Sequence, residues 1–388
     1  MKVFITDGHW RKTLAAVRSL GRKGIEVTVG ESCRIATSLF SKYCTRRVIY
    51  PSPYSNPKGF IAFLSDTLKE TKYDCLLPME EETLLLISQH KEDISKLTYL
   101  LAPEYHLLAF ARDKGKIIKH ALQIGIPCPK TYFIEDLREI EEIACNADFP
   151  LVIKPRISSG ARGIRYVFNH EDLFHTYNEV HTLYRFPLIQ EYIPPEGGAF
   201  GCSALFTEDS ELKAFFIHKR LREYPLSGGS STFRESVFNE EIKTLGLKLL
   251  QSLKWVGVAM VEFRIDPRDT TPKLMELNPR FWGSLALAIS AGVDFPYLIC
   301  KLASGEYFEP VQHYCTGKKA RWLLPGDILH LFSSLRHGSI PKGFFNFFDP
   351  DTTYDIISAD DPLPILGTML SLFNLLYDND LKRILKKR

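Results

Sequence analysis

The stretch KLMELNPRFWGS, residues 273–284, decides how this chain is read. LMELN is apolar enough for a buried strand, yet it carries Glu276 and Asn278 two residues apart and runs straight into Pro279 and Arg280. Successive strand side chains point to opposite faces, so Glu276 and Asn278 share one face while Leu277 takes the other. Upstream, WVGVAMVEFRID (255–266) reads as a partner strand joined through the turn-rich DPRDTTP. Pairing across that hairpin sets Glu262 opposite Glu276. The flanking runs GVAMV and LM argue for burial, and two buried carboxylates need a cation. With Asn278 the donor set is all oxygen, which suits magnesium, or manganese, held together with nucleotide phosphates rather than zinc. Arg280 extends the polar cluster past the strand end, where a planar guanidinium suits a phosphate or carboxylate oxygen.

Working outward, Lys154 ends the apolar run PLVIK and is followed by Pro155, so its ammonium lies where the chain must turn. The loop SSGARG (158–163) then offers small residues and two glycines, a composition that leaves backbone N–H groups able to wrap phosphate. It lacks the GxxxxGK[ST] pattern of a P-loop. QEYI (190–193) lies between a strand and the turn PPEGG, and such a segment suits an adenine edge with main-chain groups. HKRLREYPLSGGSSTFRES (218–236) reads as a basic glycine-serine loop in which Lys219, Arg220, Arg222 and Arg234 could hold an acidic substrate.

The N-terminal hundred residues are organised differently. KVFIT (2–6), apolar positions at helical spacing over 11–23 and IEVTVG form a strand-helix-strand opening, which predicts a parallel sheet. DCLLPMEEETLLLISQH repeats the pattern, with acidic residues at the expected helix start. The first turn, TDGHWRK, has one glycine where a dinucleotide fingerprint needs GxGxxG, so a dinucleotide is disfavoured there. The middle third reads as antiparallel strands, and residues 239–252 as a helix.

Composition limits the partners. The 388 residues are 45% hydrophobic, with 49 basic against 46 acidic side chains and a net charge of +3, which argues for neither nucleic acid nor an acidic polymer. The eight cysteines include no CxxC pair, as expected of reduced thiols in a cytoplasmic protein. The N-terminus has no apolar signal region, and no apolar run approaches the length of a spanning helix.

In order along residues 1–310, these pieces resemble the ATP-grasp superfamily, the ligases and carboxylases that include biotin carboxylase, carbamoyl phosphate synthase and the D-alanine ligases. The matching elements are DK (113–114) with GIPCPKT (125–131), PLVIKP, SSGARG, QEYI, VEFRID and ELNPR. The resemblance implies an α/β (α+β) chain: a Rossmann-like N-terminal domain (1–108), a small ATP-grasp subdomain with the phosphate loop (109–185), a large subdomain with the magnesium site (186–310) and a C-terminal extension (311–388). It implies that Lys114 and Lys154 hold ATP phosphates under a mobile loop including Ser158, Ser159, Gly160 and Gly163. Glu191, Tyr192 and Ile193 become the adenine hinge, with Glu196 the nearest candidate for the ribose hydroxyls. Glu262, Glu276 and Asn278 become the metal ligands, Arg280 the arginine at the transferring phosphoryl, and Lys219 and Arg220 part of the loop facing the carboxylate substrate. PPEGG departs from the usual spacing between hinge and ribose acid, and the chain lacks the MKM motif of a biotin carrier.

The expected activity is ATP-dependent ligation of a carboxylate to an amine through an acyl phosphate, on small-molecule substrates. Carboxyphosphate chemistry on bicarbonate and a non-catalytic nucleotide-binding regulator are the alternatives. A homodimer is compatible with the sequence. The tail from Leu363 to Arg388 reads as a packed helix with a basic end, or as an interfacial amphipathic helix touching a membrane.

Overall fold

The computed structural model describes residues 1–158 and 160–374. Its first sheet comprises β1 (Lys2–Ile5), β2 (Glu26–Glu31), β3 (Arg46–Ile49) and β4 (Cys75–Leu77), all parallel in the order β3-β2-β1-β4. The helix Arg11–Arg22 crosses from β1 to β2 and buries Leu14, Val17 and Leu20, positions three apart that keep one helix face inward. Asp7, at φ 63°, turns the chain between β1 and that helix. Its carboxylate accepts from the N–H groups of Met79 (3.2 Å) and Glu80 (2.9 Å) and from the Thr83 hydroxyl (2.7 Å), tying this turn to the one after β4.

The second sheet is antiparallel, in the order β5 (Thr131–Phe133), β8 (Leu188–Glu191), β6 (Leu151–Lys154), β7 (Arg165–Val167). Ile153 and Ile189 pack with Ile140, Leu173 and Tyr177 of its covering helices to form a separate small core. The helix Lys114–Gln123 precedes this sheet. Asp113 caps it by accepting from the Lys116 N–H at 3.1 Å, and Arg156, just past β6, holds that carboxylate at 2.9 Å.

The third sheet has seven strands: β9 (Ala199–Phe206), β10 (Leu212–Tyr224), β11 (Ser230–Ser236), β12 (Gly257–Ile265), β13 (Pro272–Asn278), β14 (Lys319–Arg321) and β15 (Thr352–Tyr354). Their order is β13-β12-β9-β10-β11-β14-β15, antiparallel except for the β14–β15 pair. The sheet therefore continues past residue 310 into the C-terminal region. Val261, Phe263, Leu274 and Leu277 are buried on one face of the β12–β13 hairpin. A one-residue slip of either strand would turn its own two apolar residues outward, and at ~1.5–3 kcal/mol for each such side chain the apolar face sets the register.

The stretch read as a basic loop, 218–236, is instead the paired strands β10 and β11 around a turn at Pro225–Gly229. The last described helix is Pro364–Asn374, and the rest of the basic tail lies outside the described residues. Among the described residues, no helix is long and apolar enough to cross a membrane.

Candidate active site

A cavity of about 200 Å³ is walled by the second and third sheets, with Arg11 and Lys114 reaching in from helix starts. Its floor is a cross-strand row in register: Glu276 on β13, Glu262 on β12, Gly201 on β9 and His218 on β10. Gly201 has to lack a side chain, because a Cβ there would stand 2.4 Å from the His218 Cε1 atom. The next row sets Asn278 against Met260. The Asn278 amide donates to Glu262 at 3.0 Å and to Glu276 at 3.2 Å. A register shift between Glu262 and Phe263 leaves Met275 as an extra residue on β13, and Met275 also lines the cavity.

Cations converge on the carboxylates. Lys114 Nζ lies 3.2 Å from Glu276 and donates to the Ser158 carbonyl, while Arg220 bonds Glu262 and donates to the Gly229 carbonyl at 3.0 Å. Burial drives the Lys154 ammonium down to about 8. Burial also raises the Glu262 carboxyl, and Glu276 adds to the rise against the pull of Arg220. For Glu276 burial acts upward too, but Lys114, Lys154 and Arg220 outweigh it and the net shift is downward. At Glu262 desolvation therefore outweighs the ion pair with Arg220. Among the described residues no three His, Cys, Asp or Glu side chains gather into a metal site. Two carboxylates and an amide nevertheless fit magnesium, which commonly takes one or two carboxylates and completes its shell with water and phosphate oxygens.

Arg280 also lines the cavity. Its Nε is 3.9 Å from Glu80, and Lys12 joins the same Glu80 at 2.7 Å while donating to the Phe281 carbonyl at 3.0 Å. The turn after β4 thereby holds the arginine beside the third sheet.

The other expected residues divide. Lys154, Gly160, Glu191, Tyr192 and Ile193 line the cavity. Gly160 and Gly163 both have positive φ, and a Cβ on Gly163 would meet Pro155 and Tyr184 at 2.7 Å. The hinge is partly spent: the N–H groups of Glu191 and Tyr192 donate to the Lys130 and Pro150 carbonyls, and the Glu191 carboxylate accepts from the Lys130 N–H. Glu196 is exposed in the single turn Pro195–Gly197 and is absent from the cavity wall, so the structure does not bring it to a ribose position. Ser159 lies outside the described residues.

The four cations expected to hold the acid do not converge. Lys219 is one residue from Arg220 and therefore on the opposite strand face, where its ammonium stands 5.6 Å over the Phe200 ring. A register shift between Arg220 and Arg222 turns Arg222 away too, and its guanidinium is bidentate to Asp327 at 2.8 and 2.9 Å. Arg234 is fully buried against Asp355. Only Arg220 of the four lines the cavity.

Sequence reasoning missed His218, Arg264, Glu223 and Arg11, all on the wall. For His218 a signal existed: it shares a strand face with Arg220. Burial, with Arg220 and Arg234 nearby, lowers its imidazole well below the usual range, so it is neutral. Its Nε2 lies 3.3 Å from the Ser284 hydroxyl.

Residues 211–323 match a family model described as ATP-grasp in the biosynthetic pathway with Ter operon. A biotin carboxylase from Campylobacter jejuni, solved as a βγ-ATP complex, superposes with a TM-score of 0.67 at 15% identity, covering 82% of this chain and 74% of that one. The chain has the ATP-grasp fold. Proteins similar in sequence include a D-alanine–D-alanine ligase of Wolbachia pipientis subsp. Culex pipiens, 28% identical over 207 residues that cover 50% of this chain and 63% of the ligase. A carbamoyl phosphate synthase large chain of Thermotoga neapolitana is 23% identical over 339 residues, 80% of this chain and 29% of that protein. The chain thus spans less than two thirds of either relative's length.

Proposed function

We propose that this protein is an ATP- and magnesium-dependent carboxylate-amine ligase acting on small molecules in the cytoplasm. One observation carries the reading: Lys114 and Lys154 face the Glu262–Glu276 pair inside one cavity that also reaches the Glu191–Ile193 hinge. Adenine would rest between Tyr192 and Ile193, with the triphosphate running toward the lysines. Glu262, Glu276 and Asn278 would hold magnesium, or manganese, which when bound offsets phosphate charge.

The γ-phosphoryl passes to a carboxylate oxygen of the substrate as its bond to the ADP oxygen breaks. The amine nitrogen then attacks the acyl carbon, inorganic phosphate leaves, and the ammonium proton is lost as the amide forms. Catalysis of this kind is positioning plus charge stabilisation. Lys114 and Lys154 neutralise phosphate oxygens, Arg280 stands where the phosphoryl oxygens gather charge, and Arg220 faces the incoming carboxylate. The relatedness to a D-alanine–D-alanine ligase supports amide formation.

The likeness to a carbamoyl phosphate synthase over most of this chain favours a second reading, phosphorylation of bicarbonate. Phosphate release by purified protein with ATP and magnesium, against a panel of carboxylates and amines with and without bicarbonate, separates the two. Release that needs one acid and one amine and yields ADP establishes ligation. Release on bicarbonate alone replaces it, and ATP binding without release across the panel favours the non-catalytic regulator.

A further inference from the structure

The helix Ile328–Arg336 is inverted relative to its surroundings. It buries His330 and Ser334, while Leu329, Phe332 and Leu335 are exposed, Phe332 by 58%. At ~100° per residue, His330 and Ser334 fall on one side and the three apolar residues, spaced by three, on the other. The buried side is engaged, since His330 Nδ1 lies 2.7 Å from the Glu223 carbonyl. An amphipathic helix serving only its own core would present the reverse pattern.

The following loop exposes further apolar side chains. Ile340 and Phe345 are exposed, and Phe348 stands 96% in solvent. The loop is anchored by Phe344, buried beneath Arg321 (4.5 Å) and Arg222 (5.6 Å), with Phe345 edge-on to it at 5.3 Å. Residues 328–348 contain no aspartate or glutamate but include Arg336 and Lys342. Asp349 and Asp351, which follow, are ion-paired with Lys319 (3.0 Å) and Lys318 (2.7 Å).

We propose that this face, the outer side of the helix Ile328–Arg336 with loop residues 337–348, docks on an anionic lipid surface. Protruding Leu and Phe side chains among cations, without carboxylates, match what an interface of acyl chains and anionic headgroups accepts. A second copy of the chain fits less well, because a two-fold contact through this face would set Arg336 and Lys342 against an identical face whose residues 328–348 supply no carboxylate. The charge of the chain beyond Asn374 has the same sign: five basic residues, Lys382 to Arg388, against Asp378 and Asp380.

Flotation of the full-length protein with phosphatidylcholine vesicles, and with vesicles containing 30% phosphatidylglycerol, tests this. The expected result is binding to the anionic vesicles that weakens at high salt, with little binding to phosphatidylcholine alone. Replacing Phe332, Phe345 and Phe348 by Ser together should cut partitioning about tenfold or more, and Arg336→Gln or Lys342→Gln about fivefold each. These residues lie off the cavity wall, so phosphate release in solution should be unchanged. No binding to anionic vesicles would overturn the proposal. Equal binding by the triple variant would assign any contact to the tail and also overturn it. Concentration-dependent dimerisation without lipid, lost in Phe332→Ser, would give the face to a second copy instead.

Discussion

Glu262 and Glu276 stand directly opposite each other across β12 and β13, and the Asn278 amide donates to both. Two half-buried carboxyls this close are tolerated because Arg220 pairs with Glu262 and Lys114 with Glu276. The same arrangement leaves Glu262 as the group whose carboxyl is raised and Glu276 as the one held ionised.

Glu276→Gln keeps the shape of the strand but removes the partner of Lys114. We expect ATP turnover to fall by on the order of 10²-fold or more, because preorganised charge at a phosphoryl group is the main catalytic asset of such a site. Circular dichroism should show an unchanged fold. Wild-type rates of ADP formation would remove Glu276 from the site.

Arg220 and Lys219 are neighbours with different expected fates. Arg220→Ala should raise KM for the carboxylate more than KM for ATP, since its guanidinium lies on the cavity wall beside Glu262. Lys219→Ala should leave both constants within about twofold, as its ammonium lies over Phe200 on the other face. Paired steady-state kinetics settle the matter, and equal effects from the two would mean the strand face is misassigned.

Arg234 should behave as a structural residue. Its pairing with Asp355 is fully buried, so Arg234→Met should cost about 3–5 kcal/mol in urea unfolding, the range for breaking one side of a buried pair. Substrate KM in the folded fraction should not change. A large KM effect with intact stability would return Arg234 to the substrate site.

Asp7 gives a pH signature. Burial, reinforced by Glu31 and Glu80, raises its carboxyl to about 6 from an ordinary 3.8. The folded state then binds the proton more tightly than the unfolded one, so this contribution to stability is complete below about 3.8 and is lost as pH rises through about 6. Asp7→Asn fits the same turn, accepting from Glu80 N–H and donating to the Thr83 hydroxyl. The variant should therefore gain on the wild type between pH 4.5 and 7.5, by up to roughly 3 kcal/mol. Parallel stability curves for the two proteins over that range would show that Asp7 titrates normally.

Much of the fold was legible because its signals are local. The parallel opening follows from a strand-helix-strand period between residues 2 and 30, and the helix over 239–252 from its spacing. The register of Glu262 with Glu276 followed from alternation and a short connecting loop. At Lys219, strand alternation opposes its side chain to that of Arg220, a relation that a loop over 218–236 does not impose. Glu196 is close to the hinge in sequence, but the turn Pro195–Gly197 leaves it exposed.

The sequence by itself determined the all-oxygen donor hairpin, the lysine at the end of β6 and the change from parallel to antiparallel architecture. Each depends on periodicity and residue chemistry within a few positions. Tertiary structure alone decided which cations reach the cavity and which are absorbed elsewhere. The bulge between Arg220 and Arg222 reverses a strand face, and Asp327 and Asp355 are brought from about a hundred residues away to claim Arg222 and Arg234. A guanidinium's role depends on the carboxylate it meets, and such long-range pairings exist only once the β11–β14–β15 edge has assembled.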